Sequence, residues 1–547
     1  MSSVWLVSRS IRLRTFQIPI RRSTIHRYHS SLAIENEENE FAKRQLVISE
    51  NNQWFYPQLT TLREGLTPTR LSSFRSKFES YNWPEAKRID DVHLIEGRIS
   101  SIRKSGKGMI FLDLTQDMTR VQVVLMNKMI GESKDQFSEY HDQFKKGDHV
   151  IAIGYPGVTN VGELSLKCTK RLKMASPIMH PIPPKLTSSS KRFSNRVVDY
   201  LVNTRSRDVI VARSKIINDI RKFLDNREFV EVSTPTIASN TKGANATPFT
   251  TSSKHIKKGD APLELQLRVA PELWLKKLVI GGFDKVYEVS QVFRNEGIDS
   301  THNPEFTTVE FYQSFTTLEE LMKMTEDMFK QICETMKKYD VTKLHADKLL
   351  TSFQDNGFKK LEFIPEIQKA TGHHLPTELT VESLTEYFSI INLPLPPTKS
   401  VPHLLDKLSS TYLEPQCTSV PTFIYHQPSA MSPLAKSTTM TYNDNMTYDI
   451  SRRFELFING SEYVNAYEEE NSPLDQARKF KLQQQLRDNF HDDDSIVPDH
   501  KYLAAMEWGL PPTGGWGLGV DRLCMLLVGE KRIEEVLTFG TLPDVVR

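Results

Sequence analysis

At 547 residues, with 38% apolar and 25% charged side chains, the chain is too long for one ordinary domain, so two or three globular domains are expected. No apolar run reaches bilayer-spanning length, so a soluble protein with no membrane partner is expected. A net charge of +2 is uninformative by itself and leaves any RNA contact to local patches, and four scattered cysteines (Cys168, Cys333, Cys417, Cys524) argue against a disulfide framework or a zinc site.

The chain opens on arginines at positions 9, 12, 14, 21, 22 and 27, set among serines and apolar residues, and Glu35 is its first acid. Basic, amphipathic and acid-free is the composition of a transit peptide. Residues 1–34 are therefore read as an address to the mitochondrial matrix, with a basic RNA-binding arm as the competing reading. Residues 35–89 form a helical or irregular extension.

Between 90 and 175, short runs of period-two alternation (92–102, 109–115, 119–125, 149–155 and 163–168) are separated by turn residues. Five such strands predict a small closed barrel of the OB type. Ile110, Leu112 and Leu114 share one face with Val121, Val123 and Leu125. Phe111 falls on the opposite, polar face, with Arg120 and Gln122. A flat ring for stacking, a cation for phosphate and an amide for a base edge are what single-stranded RNA requires. The competing reading is a Phe packed under a neighbouring loop.

Residues 176–195, rich in Pro, Ser and Lys, read as a linker. Beyond it a helix is predicted over 208–227, with Ile216, Ile220, Phe223 and Leu224 on one face, then a strand over 229–232. Two strands joined by a loop follow, around Arg294 and residues 301–312. By alternation Phe306, Thr308, Glu310 and Tyr312 share a face, and an aromatic, a carboxylate and a phenol in line suit a ligand better than a core. Residues 319–415 read as a helical insertion. Glu455 and Glu462 flank Asn459-Gly460, a hairpin signal. With a two-residue turn Glu455 pairs with Val464 and Glu462 is its same-face diagonal neighbour. Asn465, Tyr467 and Glu469 then have the wrong parity, unless a bulge lies near Tyr463–Val464.

Taken together, residues 293–310, 269–276, 229–235, 432–436 and 514–522 resemble the ordered motifs of class II aminoacyl-tRNA synthetases, and the lysyl enzymes in particular. The resemblance spans roughly residues 90–547. It implies an α+β chain: a five-stranded OB-fold barrel that binds the anticodon, then, over 196–547, a catalytic domain on an antiparallel sheet flanked by helices. It implies ATP and L-lysine as substrates, tRNA(Lys) as partner, Mg²⁺, and a homodimer through the segment 229–235.

Site residues carried over by the resemblance are Arg294, which bridges the α-phosphate and the lysine carboxylate, and Arg522 on the γ-phosphate. Glu296, His302, Asn303, Phe306 and Gly519 complete the ATP site, with Phe306 stacked on adenine. Gly243, Glu272, Glu310, Tyr312, Asn465, Tyr467 and Glu469 form the lysine site, Glu272 meeting the α-ammonium while Glu310 and Glu469 meet the ε-ammonium. Glu455 and Glu462 hold the metal, and Glu163 joins Phe111, Arg120 and Gln122 on the anticodon face. The chemistry agrees. A lysine carboxylate is already ionised, so its attack on ATP needs positioning and cations rather than a protein nucleophile. One ion pair at about 4 Å contributes roughly 4 kcal/mol at an effective dielectric near 20, enough to reject a neutral side chain. The rivals are an aspartyl or asparaginyl enzyme, an inactive synthetase-like RNA binder, and a paralogue that modifies protein.

Overall fold

The computed structural model describes residues 31–239, 246–353, 357–442, 445–490 and 498–546. Gly243, and most of the expected transit segment, lie outside the described residues. The chain divides into two compact units, 1–184 and 185–547, with the boundary inside the expected linker. The end of that linker is not irregular: Ser189–Ser194 is a helix, tied into the second unit by Arg192, which pairs with Asp199 at 3.0 Å and Glu535 at 2.8 Å. Among the described residues no helix is long and apolar enough to cross a membrane.

The first unit is a barrel of β1 (His93–Ser105), β2 (Met109–Gln116), β3 (Thr119–Met126), β4 (His149–Val158) and β5 (Leu164–Cys168). Their order is β1-β2-β3-β5-β4, and β4 pairs back on β1 to close it. Closure leaves one set of alternating side chains inside, and Ile110, Leu112, Leu114, Val121, Val123 and Leu125 are all buried there. A sixth strand, β6 (Lys173–Ser176), extends from β4. The extension before the barrel is largely helical: Ile48, Phe55, Phe74 and Phe78 pack into the barrel core.

The second unit is built on an eight-stranded sheet of β7 (Val230–Glu231), β8 (Lys285–Phe293), β9 (Glu305–Ser314), β10 (Lys359–Glu362), β11 (Thr422–Tyr425), β12 (Arg453–Ile458), β13 (Ser461–Glu468) and β14 (Thr513–Gly519). The order is β10-β11-β12-β13-β14-β9-β8-β7, antiparallel except for the two edge pairs. One face carries Val309, Phe311, Leu456, Val464, Trp516 and Leu518, and these share a core with α1 (Thr204–Asp225), α2 (Leu318–Met336) and α3 (Val520–Val528). The predicted helix face, Ile216, Ile220, Phe223 and Leu224, is buried in this core. Period two therefore turns the polar residues of the same strands to the other side.

Residues 319–415 are not wholly helical, because β10 adds an edge strand within them. Four residues are too few to display a strand period in sequence. The helices after β10 form a separate core around Phe363, Leu384, Leu404 and Leu405. Residues 252–262 lie in an exposed hairpin, Thr250–Lys258 with Ala261–Leu267.

Candidate active site

β8 and β9 run in unbroken register from Lys285↔Gln313 to Phe293↔Glu305. Just beyond, the amide of Arg294 donates to the carbonyl of Pro304 at 2.8 Å and fixes where that side chain leaves the sheet. Arg294 Nε donates to the Val269 carbonyl at 3.3 Å, and its guanidinium lies 5.2 Å from the centre of the Phe306 ring. His302 is held through Nδ1, 2.8 Å from Asp299 Oδ2, and its Nε2 lies 2.6 Å from Arg522 Nη2. Asn303 is turned onto backbone: its Nδ2 donates to the Glu305 carbonyl at 2.6 Å and its Oδ1 accepts from Leu542 N at 3.0 Å.

Gly519 caps α3, and Arg522 stands in the first turn. Arg522 also donates to the Glu462 carbonyl at 3.0 Å. Its neighbour Asp521 is buried, pairs with Arg213 and accepts from the Thr307 amide at 2.7 Å, locking the helix start to β9.

The hairpin of β12 and β13 contains the bulge that parity demanded. Phe457 pairs with Glu462 and Leu456 with Val464, so Tyr463 is the extra residue. The simple register, with Glu455 opposite Val464, is thereby corrected, since Glu455 faces Asn465. One added residue brings Glu455, Glu462, Asn465 and Tyr467 onto one face. Between them sits Arg453, which contacts Glu455 and donates to Asn465 Oδ1 and Ser432 Oγ, both at 3.0 Å. Burial, opposed by Arg453 and helped by Glu462, pushes the Glu455 carboxyl up to about 7.

At the opposite end, Glu272 opens the helix Glu272–Ile280. Its Oε1 accepts from Lys276 Nζ at 2.6 Å and from the Tyr467 hydroxyl at 2.7 Å. Lys276 also contacts Glu469, and both side chains are fully buried. The Tyr312 hydroxyl donates to Glu310 Oε2 at 3.3 Å. Burial and the Glu272 carboxylate, against the pull of Arg294, push Glu310 up to about 8. Burial raises Glu469 well above the usual carboxylate range despite Lys276, and burial together with the surrounding carboxylates raises the phenols of Tyr312 and Tyr467.

A cavity of about 520 Å³ joins the two ends. Every residue expected at ATP lines it: Arg294, Glu296, His302, Asn303, Phe306, Gly519 and Arg522. Glu272, Glu310, Tyr312, Asn465 and Tyr467 line it too, as do Glu455 and Glu462. Glu469 does not; it lies behind the wall, against Lys276. In the first unit, Phe111 and Gln122 sit on one barrel face through the pairs Phe111↔Val124 and Asp113↔Gln122. Ser165 holds Gln122 at 2.9 Å and Glu163 holds Arg120 at 3.1 Å.

The sequence that builds this sheet and cavity has relatives among known proteins. Residues 188–543 match the family described as tRNA synthetases class II (D, K and N), and residues 93–172 match the OB-fold nucleic acid binding domain. The chain belongs to the class II tRNA synthetases of the D, K and N group. Its relatives include the mitochondrial lysine–tRNA ligase of Schizosaccharomyces pombe, 41% identical over 526 residues, which span 94% of this chain and 95% of that one. The mitochondrial lysine–tRNA ligase of Saccharomyces cerevisiae is 39% identical, covering 96% of both chains. A lysine–tRNA ligase of Lactococcus lactis is 35% identical, covering 87% of this chain and 93% of its own.

Three residues of this synthetase escaped the sequence reading. Arg453 stands two places before Glu455 on the same strand face, and Asp521 directly precedes Arg522. Lys276 interrupts an apolar helical run four places after Glu272, which was its one visible signal.

Proposed function

We propose that this synthetase is a lysine–tRNA ligase of the mitochondrion. It joins L-lysine to ATP as lysyl-adenylate, then passes the lysyl group to the 3′-hydroxyl of the terminal adenosine of tRNA(Lys). The carrying observation is one cavity with the guanidinium groups of Arg294 and Arg522, beside His302, at one end and the buried side chains of Glu272 and Glu310 at the other. The lysine carboxylate attacks the α-phosphorus, the bond to the β-phosphate oxygen breaks and pyrophosphate leaves. Arg294 is placed to hold the attacking carboxylate and the α-phosphate together, and Arg522 to hold the far phosphates. Phe306 offers its ring to adenine beneath Arg294. Attack by the tRNA hydroxyl on the lysyl carbonyl then releases AMP.

Glu455 and Glu462 fit Mg²⁺, a hard cation that takes oxygen ligands and usually shares them with phosphates. The fit shows in the donor set: Glu455 and Glu462 share one sheet face and line the same cavity as the residues proposed for the phosphates. When bound, the metal would supply positive charge to the phosphates. Among the described residues no cluster of three or more His, Cys, Asp or Glu side chains could hold a metal ion.

An aspartyl specificity is disfavoured because an acidic side chain would meet Glu310 rather than a base, and an asparaginyl one because a neutral amide would leave that buried carboxyl without a cation. Mitochondrial residence is supported by the names of the two fungal relatives, and the matrix by the acid-free arginine-rich start. The segment 229–235, with Val230 half-exposed on the sheet edge, is proposed as the homodimer contact. Amino-acid-dependent pyrophosphate exchange decides the substrate: lysine is expected to drive exchange at least a hundredfold faster than aspartate or asparagine. Exchange driven by either of those instead would overturn the reading.

A further inference from the structure

Lys276 is unusual as a lysine because none of its side chain is exposed. Stripping water from an ammonium is unfavourable by several kcal/mol unless anions replace it. Here the anions are two carboxylates from separate parts of the chain, Glu272 four residues earlier on the same helix and Glu469 just after β13. The rings of Tyr467 and Tyr502 close over the ammonium at 5.6 and 5.8 Å. Burial alone would lower the Lys276 pKa, but the two carboxylates outweigh it and hold the group protonated.

The way the contacts divide is informative. Lys276 and the Tyr467 hydroxyl both bond Glu272 Oε1. Glu272 nonetheless lines the cavity, and its Oε2 has no hydrogen-bond partner among the described residues. A purely structural ion pair would face away from the cavity. This one fixes a cavity carboxylate by one oxygen and leaves the other for a ligand.

We propose that Lys276 is a positioning residue of the amino-acid site, an internal ammonium that pins Glu272 and Glu469 so that Glu272 presents its free oxygen to the incoming α-ammonium. This rests on the reading of lysine as substrate. Among the described residues the ion pairs of Lys276 are with Glu272 and Glu469 at the amino-acid end, so its effect belongs to lysine affinity rather than to the chemical step.

The test uses the full chain in lysine-dependent pyrophosphate exchange, with Lys276→Met, which keeps length without charge, and Lys276→Gln, which keeps a donor. Thermal shifts induced by lysine and by ATP are measured on the same preparations. The expected result is a lysine KM raised at least tenfold in both variants, with kcat and the ATP KM within about threefold of wild type. The thermal shift with lysine should be lost and that with ATP kept. If Lys276→Met does not fold, Lys276→Gln and its two ligand shifts decide. A lysine KM within twofold of wild type, or a loss of kcat and a rise in ATP KM as large as the rise in lysine KM, overturns the inference. A wild-type enzyme indifferent to lysine would instead sink the substrate reading itself.

Discussion

Burial pushes the Glu310 carboxyl toward its protonated form, where the role proposed for it needs a charge. Its carboxyl faces Glu272, Arg294, Glu288 and the Tyr312 hydroxyl, and burial with the Glu272 charge pushes it up to about 8. At pH 7 the empty site is therefore mostly protonated, and an arriving ammonium favours the ionised form. Lysine binding should release a proton near neutral pH, and the lysine KM should fall as pH rises from 6.5 to about 8, then level off. The sign for stability runs the other way. A carboxyl whose folded pKa lies above the ordinary 4.5 stabilises the empty fold fully below that value and loses this contribution as pH rises through about 8. Calorimetric titration with lysine in two buffers of different ionisation heat reads the proton directly; equal heats would sink the idea, and Glu310→Gln should remove the difference. A neighbouring residue tests the shape of the same end. A Cβ on Gly515 would press into Glu469 Oε1 and stand 2.7 Å from the Tyr312 ring. Gly515→Ala is expected to raise the lysine KM at least tenfold, about 1.4 kcal/mol or more, while the ATP KM stays within twofold; parallel losses would mean that the whole cavity had shifted.

At the scale of elements, periodicity made most of the site legible and one bulge made the remainder so. Alternation alone placed Thr308, Glu310 and Tyr312 together, because a strand with one face on a core has no freedom to shift register. The Tyr463 bulge was visible as a contradiction: Glu462 and Asn465 could not otherwise share a face. What stayed hidden lacked a pattern. β10 is only four residues long, Lys276 sits inside an apolar helix, and Arg453 gains meaning only once β13 brings Asn465 beside it. Glu469 was legible as a carboxylate near the site but not as one set behind its wall, which depends on its pairing with Lys276. Deleting Tyr463 tests the bulge. A regular hairpin would turn either the Glu455–Glu462 pair or the Asn465–Tyr467 pair away from the cavity. Lysine-dependent exchange is expected to fall by at least a thousandfold, with circular dichroism unchanged apart from a lower melting temperature. Retained exchange would show that the strand slips to restore the face.

At the scale of the whole molecule, two separately compact units divide the labour, and each has its own assay. Exchange of pyrophosphate needs only the cavity of the second unit, whereas charging of tRNA also needs an RNA surface. The surface proposed for it is the half-buried ring of Phe111, opposite Arg103 in the β1–β2 register and on the same barrel face as Gln122, which Ser165 holds in place. Stacking of one base on such a ring contributes about 1–3 kcal/mol, roughly ten- to a hundredfold in binding. Phe111→Ala should therefore lower kcat/KM for tRNA by that factor, through KM, and leave lysine-dependent exchange without tRNA unchanged. Because Ile110 and Leu112 carry the barrel core on the opposite face, removing the ring should spare the fold. A loss of exchange equal to the loss of charging would show that Phe111 serves packing, and the competing reading of that residue would stand.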